Sequence, residues 1–195
     1  MEESDKRRLK ELLVEHALSY GDFVLSSGKK SPYYLDVRKV STLPEGAFLL
    51  AKILLSMLGE GEIQALGGPT IGADPIAGAV AAVSFFEGRP LPTFLVRKEV
   101  KVHGTGRAIE GNLENGWKVA IVDDVVTTAN SILSAARTVE ETGCVVVRTL
   151  AVVDREEGGA EEIRSAGYPF DAILRVSEIL DAGASATKRP GKPLA

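Results

Sequence analysis

Short runs rich in apolar residues alternate along this chain with stretches of helical spacing. The runs predict strands at residues 63–66, 93–96, 119–122, 145–153 and 172–176. The spacing between them predicts helices over 43–58, 75–85, 132–142, 160–166 and 177–182. At the N-terminus the pattern predicts an amphipathic helix over 4–20, a short apolar piece at 23–25 and a strand at 33–37. Strands that alternate with helices predict an α/β domain with a mainly parallel central sheet, helices on both faces and a small N-terminal cover.

Length, composition and charge limit the kinds of binding partner that this chain is expected to have. The 195 residues suit one α/β domain with a small appendage. The formal net charge is −4 and the pI is about 5.4, which argues against nucleic acid or an anionic membrane as the main partner. No apolar stretch has transmembrane length, and the first residues lack the apolar core of a signal peptide. We therefore expect a cytoplasmic protein.

The stretch V-A-I-V-D-D-V-V-T-T-A-N-S, residues 119–131, carries the densest chemistry. A polar turn is predicted over 123–131, between a buried strand and a helix. Backbone N–H groups at the helix N-terminus and the hydroxyls of Thr127, Thr128 and Ser131 suit a phosphate. The adjacent carboxylates of Asp123 and Asp124 suit sugar hydroxyls or a metal ion. A sugar phosphate offers both groups; the alternative is an ordinary helix cap with a solvated acidic pair.

Two further segments have anion-binding character. Residues 67–74, G-G-P-T-I-G-A-D, form a glycine-rich turn after a strand, and bare backbone amides there can bind an anion. Residues 97–107 contain four Arg or Lys, one His and two glycines. This segment is either a solvated hairpin or a mobile cationic lid that stabilises charge on a departing polyanion.

These motifs resemble those of a known family. The stretch 119–131 is similar to the phosphoribosyl-diphosphate (PRPP) signature of type I phosphoribosyltransferases, with Ala129 and Asn130 at positions that are usually glycine. F-x-L-x-S-G-K-x-S-P-Y-Y, from Phe23, resembles the hood of orotate phosphoribosyltransferases, with Ser26 where a lysine is frequent. R-K-E-x-K-x-H-G-x-G-x-x-I-E-G, from Arg97, resembles their catalytic loop, and D-R-x-E-x-G, from Asp154, resembles a segment whose arginine meets orotate.

The resemblance implies transfer of a 5-phosphoribosyl group from PRPP to N1 of orotate, in pyrimidine synthesis, with Mg²⁺ on the diphosphate. It implies a homodimer in which the lid completes the neighbouring site. One domain is expected over 1–186, with a helix and hood at 1–40 and a mobile lid at 97–111. Residues 187–195 are expected to form a disordered tail.

Site residues follow from the same resemblance. The implied catalytic residues are Lys101, His103, Asp123 and Asp124. PRPP would contact Arg97, Lys98, Lys101, His103, Asp123, Asp124, Val125, Val126, Thr127, Thr128, Ala129, Asn130 and Ser131. Orotate would contact Thr127 and Arg155, and Asp123 or Asp124 would reach Mg²⁺ through water. Further ligand contacts are expected from Lys29, Tyr33, Tyr34, Thr70 and Gly72.

Two alternative functions remain open from sequence. A phosphoribosyltransferase for another base would share the turn at 123–131, but a purine has no carboxylate for Arg155 and the hood resembles the orotate enzymes. A non-catalytic regulator that senses PRPP would also keep this turn, but it would not need the cations of the lid.

Overall fold

The computed structural model describes residues 2–24, 30–98 and 108–187. Its α-helices are α1 (Glu2–Leu12), α2 (Arg38–Ser41), α3 (Pro44–Leu58), α4 (Ala73–Phe86), α5 (Asn130–Glu140), α6 (Gly159–Ser165) and α7 (Val176–Thr187). Its strands are β1 (Leu18–Val24), β2 (Lys30–Leu35), β3 (Ala65–Pro69), β4 (Thr93–Val96), β5 (Ile109–Gly111), β6 (Lys118–Val126), β7 (Val145–Asp154) and β8 (Phe170–Arg175). A π-helical turn, Leu13–Ala17, follows α1. None of the described helices combines the length and apolar character needed to cross a bilayer.

The central sheet has the strand order β5-β4-β3-β6-β7-β8. The neighbours from β4 to β8 run parallel, and only the edge strand β5 is antiparallel to its partner β4. Parallel neighbours need a crossover connection, which the intervening helices supply. The predicted mainly parallel α/β sheet is confirmed.

Helices cover both faces of this sheet. Alternate residues of β6 point to opposite sides: Ala120 and Val122 pack with α1, α3 and α4, whereas Val119 and Ile121 pack with α5 and α6. A strand buried on both faces reads as a continuous apolar run, because neither side meets water. The predicted placement of helices on both faces is confirmed.

The predicted N-terminal helix over 4–20 is too long. Helical structure ends at Ala17, and β1 then pairs antiparallel with β2 to form a small two-stranded sheet, the hood. Leu9 and Leu13 are buried as the helical pattern predicts, but Tyr20 lies in β1 and is 58% exposed. Pairing with β2, whose residues lie 6 to 17 positions from their partners in β1, overrides the local helical spacing.

The expected boundaries of the lid and the tail also change. The lid prediction extended to residue 111, but Ile109–Gly111 form β5, which pairs with Phe94, Leu95 and Val96. The tail prediction began at residue 187, but α7 continues to Thr187, with Gly183 packed beside Leu18 and Tyr20 of the hood. Residues 99–107 and 188–195 lie outside the described residues.

The strand predicted at 63–66 lies further along the chain. β3 comprises Ala65–Pro69, and its Gly67, Gly68 and Pro69 pair with β4. Two glycines and a proline are weak strand formers, so pairing with the neighbouring strand decides this boundary. The glycine-rich turn is therefore shorter than predicted and ends where α4 begins, at Ala73.

Candidate active site

Three strand ends and three helix starts meet at one edge of the central sheet. The strands β3, β6 and β7 end there, at Pro69, Val126 and Asp154, and the helices that follow them begin at Ala73, Asn130 and Gly159. Ligands of open α/β sheets bind at the carboxyl ends of the strands. The N–H groups of the helix N-termini make this edge favourable for anions.

The acidic pair lies inside β6. The prediction of a turn from residue 123 is wrong, because β6 pairs with β7 as far as Val126 opposite Asp154. The two carboxylates lie close together, because a side-chain hydrogen bond with Asp124 contributes to the raised pKa of Asp123, but they differ in exposure. Asp123 is 6% exposed and Asp124 is half-buried. Oδ1 of Asp123 accepts the Asp124 N–H, and Oδ1 of Asp124 accepts the Val125 N–H, both at 2.9 Å.

The environment of Asp123 favours its neutral form. Burial raises the pKa of Asp123 well above the usual aspartate value, and the nearby carboxylate of Asp124 raises this pKa further. The positive charge of Lys98 acts in the opposite direction and lowers this pKa. A cation that enters beside the pair would stabilise the ionised form of Asp123.

The loop after β3 lies directly against the acidic pair. A Cβ atom at Gly72 would stand 2.4 Å from Oδ1 of Asp124 and 3.0 Å from Oδ1 of Asp123, so only glycine leaves these carboxylates in place. Thr70, in the same loop, donates its backbone N–H to the Val96 carbonyl at 2.9 Å. Of the predicted site residues in this loop, Thr70 thus contacts the end of β4, and Gly72 contacts the acidic pair near the end of β6.

The turn after β6 has an open helix N-terminus. Ala129 has the left-handed φ of 64°, and none of the described side chains caps α5 there. Thr128, Asn130 and Ser131 are exposed, whereas Ala129 is buried. Uncapped N–H groups beside exposed hydroxyl and amide side chains are suited to a phosphate.

The predicted contacts of Val125 and Val126 are limited by the strand. The Val125 side chain packs on the α3 side of the sheet, and the Val126 side chain is buried on the α5 side. The Val126 carbonyl accepts the backbone N–H of Arg155 at 2.9 Å. This bond places Arg155 one strand away from Thr127, the second predicted orotate contact.

Arg155 is buried between the hood and the loop before α6. It is 8% exposed, and its Nη2 donates to the Tyr33 hydroxyl at 3.2 Å. Its Cζ lies 5.1 Å from the centre of the Tyr33 ring, within the range of a cation–π contact. Its Nε lies 3.0 Å from Oε1 of Glu157. The hood therefore covers the residue predicted to hold orotate.

The two described residues at the start of the lid, Arg97 and Lys98, direct their positive charges towards different partners. Arg97 pairs with Glu110 of β5 at 3.0 Å, and Lys98 is exposed and close enough to lower the pKa of Asp123. The structure thus directs Lys98, rather than Arg97, towards the acidic pair. Lys29, Lys101 and His103 lie outside the described residues.

The two tyrosines of the hood face different partners, and Arg38 is a site residue that was not predicted. Tyr34 faces Phe23, with ring centres 5.6 Å apart, whereas Tyr33 faces Arg155. Arg38 forms a two-point ion pair with Asp36, at 2.8 and 3.3 Å, which raises the Arg38 pKa; the charge of Asp124 raises this pKa further. Sequence reasoning missed Arg38 and Glu157. The D-V-R triplet after the hood was the available signal for Arg38.

Comparison with known proteins gives the same assignment over most of the chain. The family described as Phosphoribosyl transferase domain matches residues 39–168. An orotate phosphoribosyltransferase from Nostoc sp. is 45% identical over 89% of this chain and 84% of its own length. The orotate phosphoribosyltransferase from Aquifex aeolicus is 44% identical over 90% of this chain and 98% of its own length.

Solved structures agree. The Mycobacterium tuberculosis orotate phosphoribosyltransferase, in complex with Fe(III) dicitrate, is 35% identical and has a TM-score of 0.80, covering 90% of this chain and 98% of that chain. The same enzyme in complex with PRPP has a TM-score of 0.76 at 32% identity and the same coverage. The chain therefore belongs to the phosphoribosyltransferase family and, within it, to the orotate phosphoribosyltransferases.

Proposed function

We propose that the edge formed by β3, β6 and β7 binds PRPP and orotate and produces orotidine 5′-phosphate and diphosphate, as a cytoplasmic step of pyrimidine synthesis. The buried guanidinium of Arg155, one strand from the phosphate-binding turn, is the observation that carries this assignment. Orotate has a carboxylate on its ring, and a planar guanidinium pairs with a carboxylate at two points. The PRPP complex of the M. tuberculosis enzyme supports the choice of donor.

A spectrophotometric assay of orotate loss with PRPP and Mg²⁺ tests the assignment. Uracil, adenine and hypoxanthine serve as comparison bases, since none carries a carboxylate. We expect turnover of orotate alone. Equal turnover of another base would contradict the role of Arg155, and PRPP binding without any turnover would indicate a regulator.

The 5′-phosphate of PRPP is assigned to the turn from Thr127 to Ser131. The first N–H groups of α5 and the side chains of Thr128 and Ser131 face solvent there. With the phosphate in this turn, the ribose would lie next to the acidic pair, since β6 leads directly from Asp124 into the turn.

The reaction breaks the bond between ribose C1 and the diphosphate oxygen. Positive charge develops on the ribose and negative charge on the diphosphate. Asp124 and Asp123 lie where carboxylates can stabilise the sugar, and Lys98 lies where a cation can face the diphosphate. Lys101 and His103 are assigned to the leaving diphosphate on the resemblance of the loop, with His103 as a candidate proton donor.

Asp124→Asn is expected to lower kcat by at least about tenfold with only a modest change in the KM for PRPP, because the carboxylate matters most when the ribose becomes cationic. Steady-state kinetics at saturating orotate measures both constants. Asp171→Asn is the matched control, because Asp171 forms an exposed ion pair with Arg148 at 3.4 Å. A change confined to the KM for PRPP would assign Asp124 to ground-state binding.

Mg²⁺ is proposed to enter with the diphosphate of PRPP. Among the described residues, no group of three or more His, Cys, Asp and Glu side chains could hold a metal ion. Each carboxylate of the acidic pair accepts one backbone N–H through Oδ1, and the half-buried Asp124 is the more open of the two to a metal-bound water. That donor set fits Mg²⁺, which keeps several waters and binds substrate phosphates with one or two carboxylates. The ion would neutralise charge on the leaving diphosphate.

A homodimer is proposed from exposed apolar residues at the two ends of α4, only one of which lies beside the site. Phe85 and Phe86, at the end of α4, are 73% and 90% exposed, and Ile71, next to Gly72, is 63% exposed. No charged residue occurs from Pro75 to Phe86. Apolar surfaces of this kind mark protein contacts. Phe85 and Phe86 lie about 20 Å from the start of α4, at the opposite edge of the sheet. A second copy that covered Ile71 would lie beside Gly72, at the edge of the site where the neighbouring lid is needed.

Mixing Lys101→Ala with Asp124→Asn is expected to restore activity to about a quarter of wild type. If Lys101 acts across the interface, each mixed dimer contains one intact site, and random exchange makes about half of the dimers mixed. Activity is measured after incubation that allows subunit exchange, with each variant incubated alone as the control. Confirmed exchange without recovery would contradict the shared site, because a lid acting within its own chain leaves a lesion in every site.

A further inference from the structure

We infer that Glu157 is a positioning residue for base selection: it holds the Nε edge of Arg155, so that the guanidinium presents the edge formed by its two Nη atoms to orotate. The inference rests on the proposed function, because it takes the Arg155 guanidinium as the group that binds the orotate carboxylate. Glu157 has no role in the assignments above.

The ion pair between these residues is largely removed from solvent. The side chains of Arg155 and Glu157 are 7% and 22% exposed, with Nε and Oε1 3.0 Å apart. The buried Nε has no well-aligned hydrogen bond within the described part of the chain, so this contact acts through charge. A buried cation needs a paired anion, and Glu157 is the carboxylate in place.

The opposite side of the guanidinium is held by the hood. Tyr33 lies over its face, with its ring centre 5.1 Å from Cζ, and the Tyr33 hydroxyl accepts from Nη2 at 3.2 Å. A guanidinium has a limited number of edges that can bind a carboxylate at two points. With Glu157 at Nε, the edge between the two Nη atoms remains for a ligand, and Nη2 on that edge already donates one hydrogen bond to the Tyr33 hydroxyl.

The ion pair between Glu157 and Arg155 also affects which anionic ligands the site prefers. Glu157 offsets the charge of Arg155, so an arriving anion gains less from charge alone and more from two aligned hydrogen bonds. A planar carboxylate in the plane of the guanidinium meets this requirement. Glu157 would thereby make the Arg155 site selective for the shape of the carboxylate on the base.

Glu157→Ala is expected to raise the KM for orotate by roughly 5- to 30-fold and to leave the KM for PRPP within about twofold. Glu157→Gln, which keeps the size of the side chain but removes the charge, should give a rise of similar size, because the contact acts through charge. Glu161→Ala, on the exposed side of α6, is the matched control and should change neither constant. A KM for orotate that is unchanged or lower in Glu157→Ala would overturn the inference.

A double-mutant cycle separates positioning from a general structural effect. If Glu157 acts only through Arg155, adding Glu157→Ala to Arg155→Ala should give no further rise in the KM for orotate. An equal rise in both backgrounds would overturn the inference. If Glu157→Ala does not fold, judged by its thermal midpoint, Glu157→Gln takes its place in the cycle. Failure of the proposed function is distinguishable, because the wild-type protein itself would then not consume orotate.

Discussion

Arg155→Ala is expected to raise the KM for orotate by roughly 30- to 150-fold, corresponding to the loss of about 2–3 kcal/mol from a charge-assisted pair. The arginine is buried and is held in place by Tyr33 and Glu157. A cationic side chain from the protein surface would therefore not replace it at the orotate carboxylate. Truncation would leave the orotate carboxylate in the site without its partner. Initial-rate kinetics with each substrate varied in turn measures the effect.

Comparing the KM for orotate with the KM for PRPP shows whether Arg155 acts on orotate alone. The KM for PRPP should change little, because the phosphate-binding turn lies on the neighbouring strand. Arg148→Ala is the matched control: Arg148 lies on the same strand, β7, and pairs with Asp171 away from the site. Equal rises in both KM values would show that Arg155 does not bind orotate selectively.

Gly72→Ala is expected to lower kcat/KM for PRPP by roughly 100-fold, because a displacement of catalytic groups by about 1 Å has effects of that size. The added Cβ would stand 2.4 Å from Oδ1 of Asp124, so that carboxylate has to move. The Gly72 backbone is helical, with φ −63° and ψ −42°, so alanine can adopt it without strain. The loss should therefore appear in activity and leave thermal stability nearly unchanged.

Gly167→Ala provides the matched control with the opposite outcome. Gly167 has φ 95°, and a Cβ there would meet no described atom within 4 Å. Alanine in this left-handed conformation costs about 1–2 kcal/mol, so stability should fall while kcat/KM stays unchanged. If both glycine variants lost stability and kept activity, the close contact of Gly72 with the acidic pair would have no part in PRPP turnover.

The parts of the site that a sequence predicts well are local. The order of apolar run, acidic pair, hydroxyl-rich turn and helix was visible because each part occupies a few consecutive residues. The end of β6 was not visible, since Asp123 and Asp124 look like turn residues. Pairing with β7 keeps them in the strand, which continues to Val126 opposite Asp154.

Ala129 shows a second limit of local reasoning. Sequence places alanine where a glycine is usual in this turn, and a left-handed alanine is unfavourable by about 1–2 kcal/mol. The structure nevertheless gives Ala129 a φ of 64°, and its methyl group is buried with the residues of α5 and α6. Burial of a methyl group contributes a gain of about 0.8 kcal/mol, which offsets part of that cost. Only the packing around the turn reveals this compensation.

The contact between Tyr33 and Arg155 joins residues that lie 122 positions apart, so no local pattern predicts it. Its consequence concerns how a new base preference could arise in this scaffold. If the segment after β7 were exchanged for one without Arg155, Tyr33 would lose its cationic partner. If the hood were exchanged for one without Tyr33, Arg155 would lose the ring that covers it. Either exchange alone removes a partner from the other, so directed evolution towards a different base should succeed only in libraries that vary both segments in the same clone.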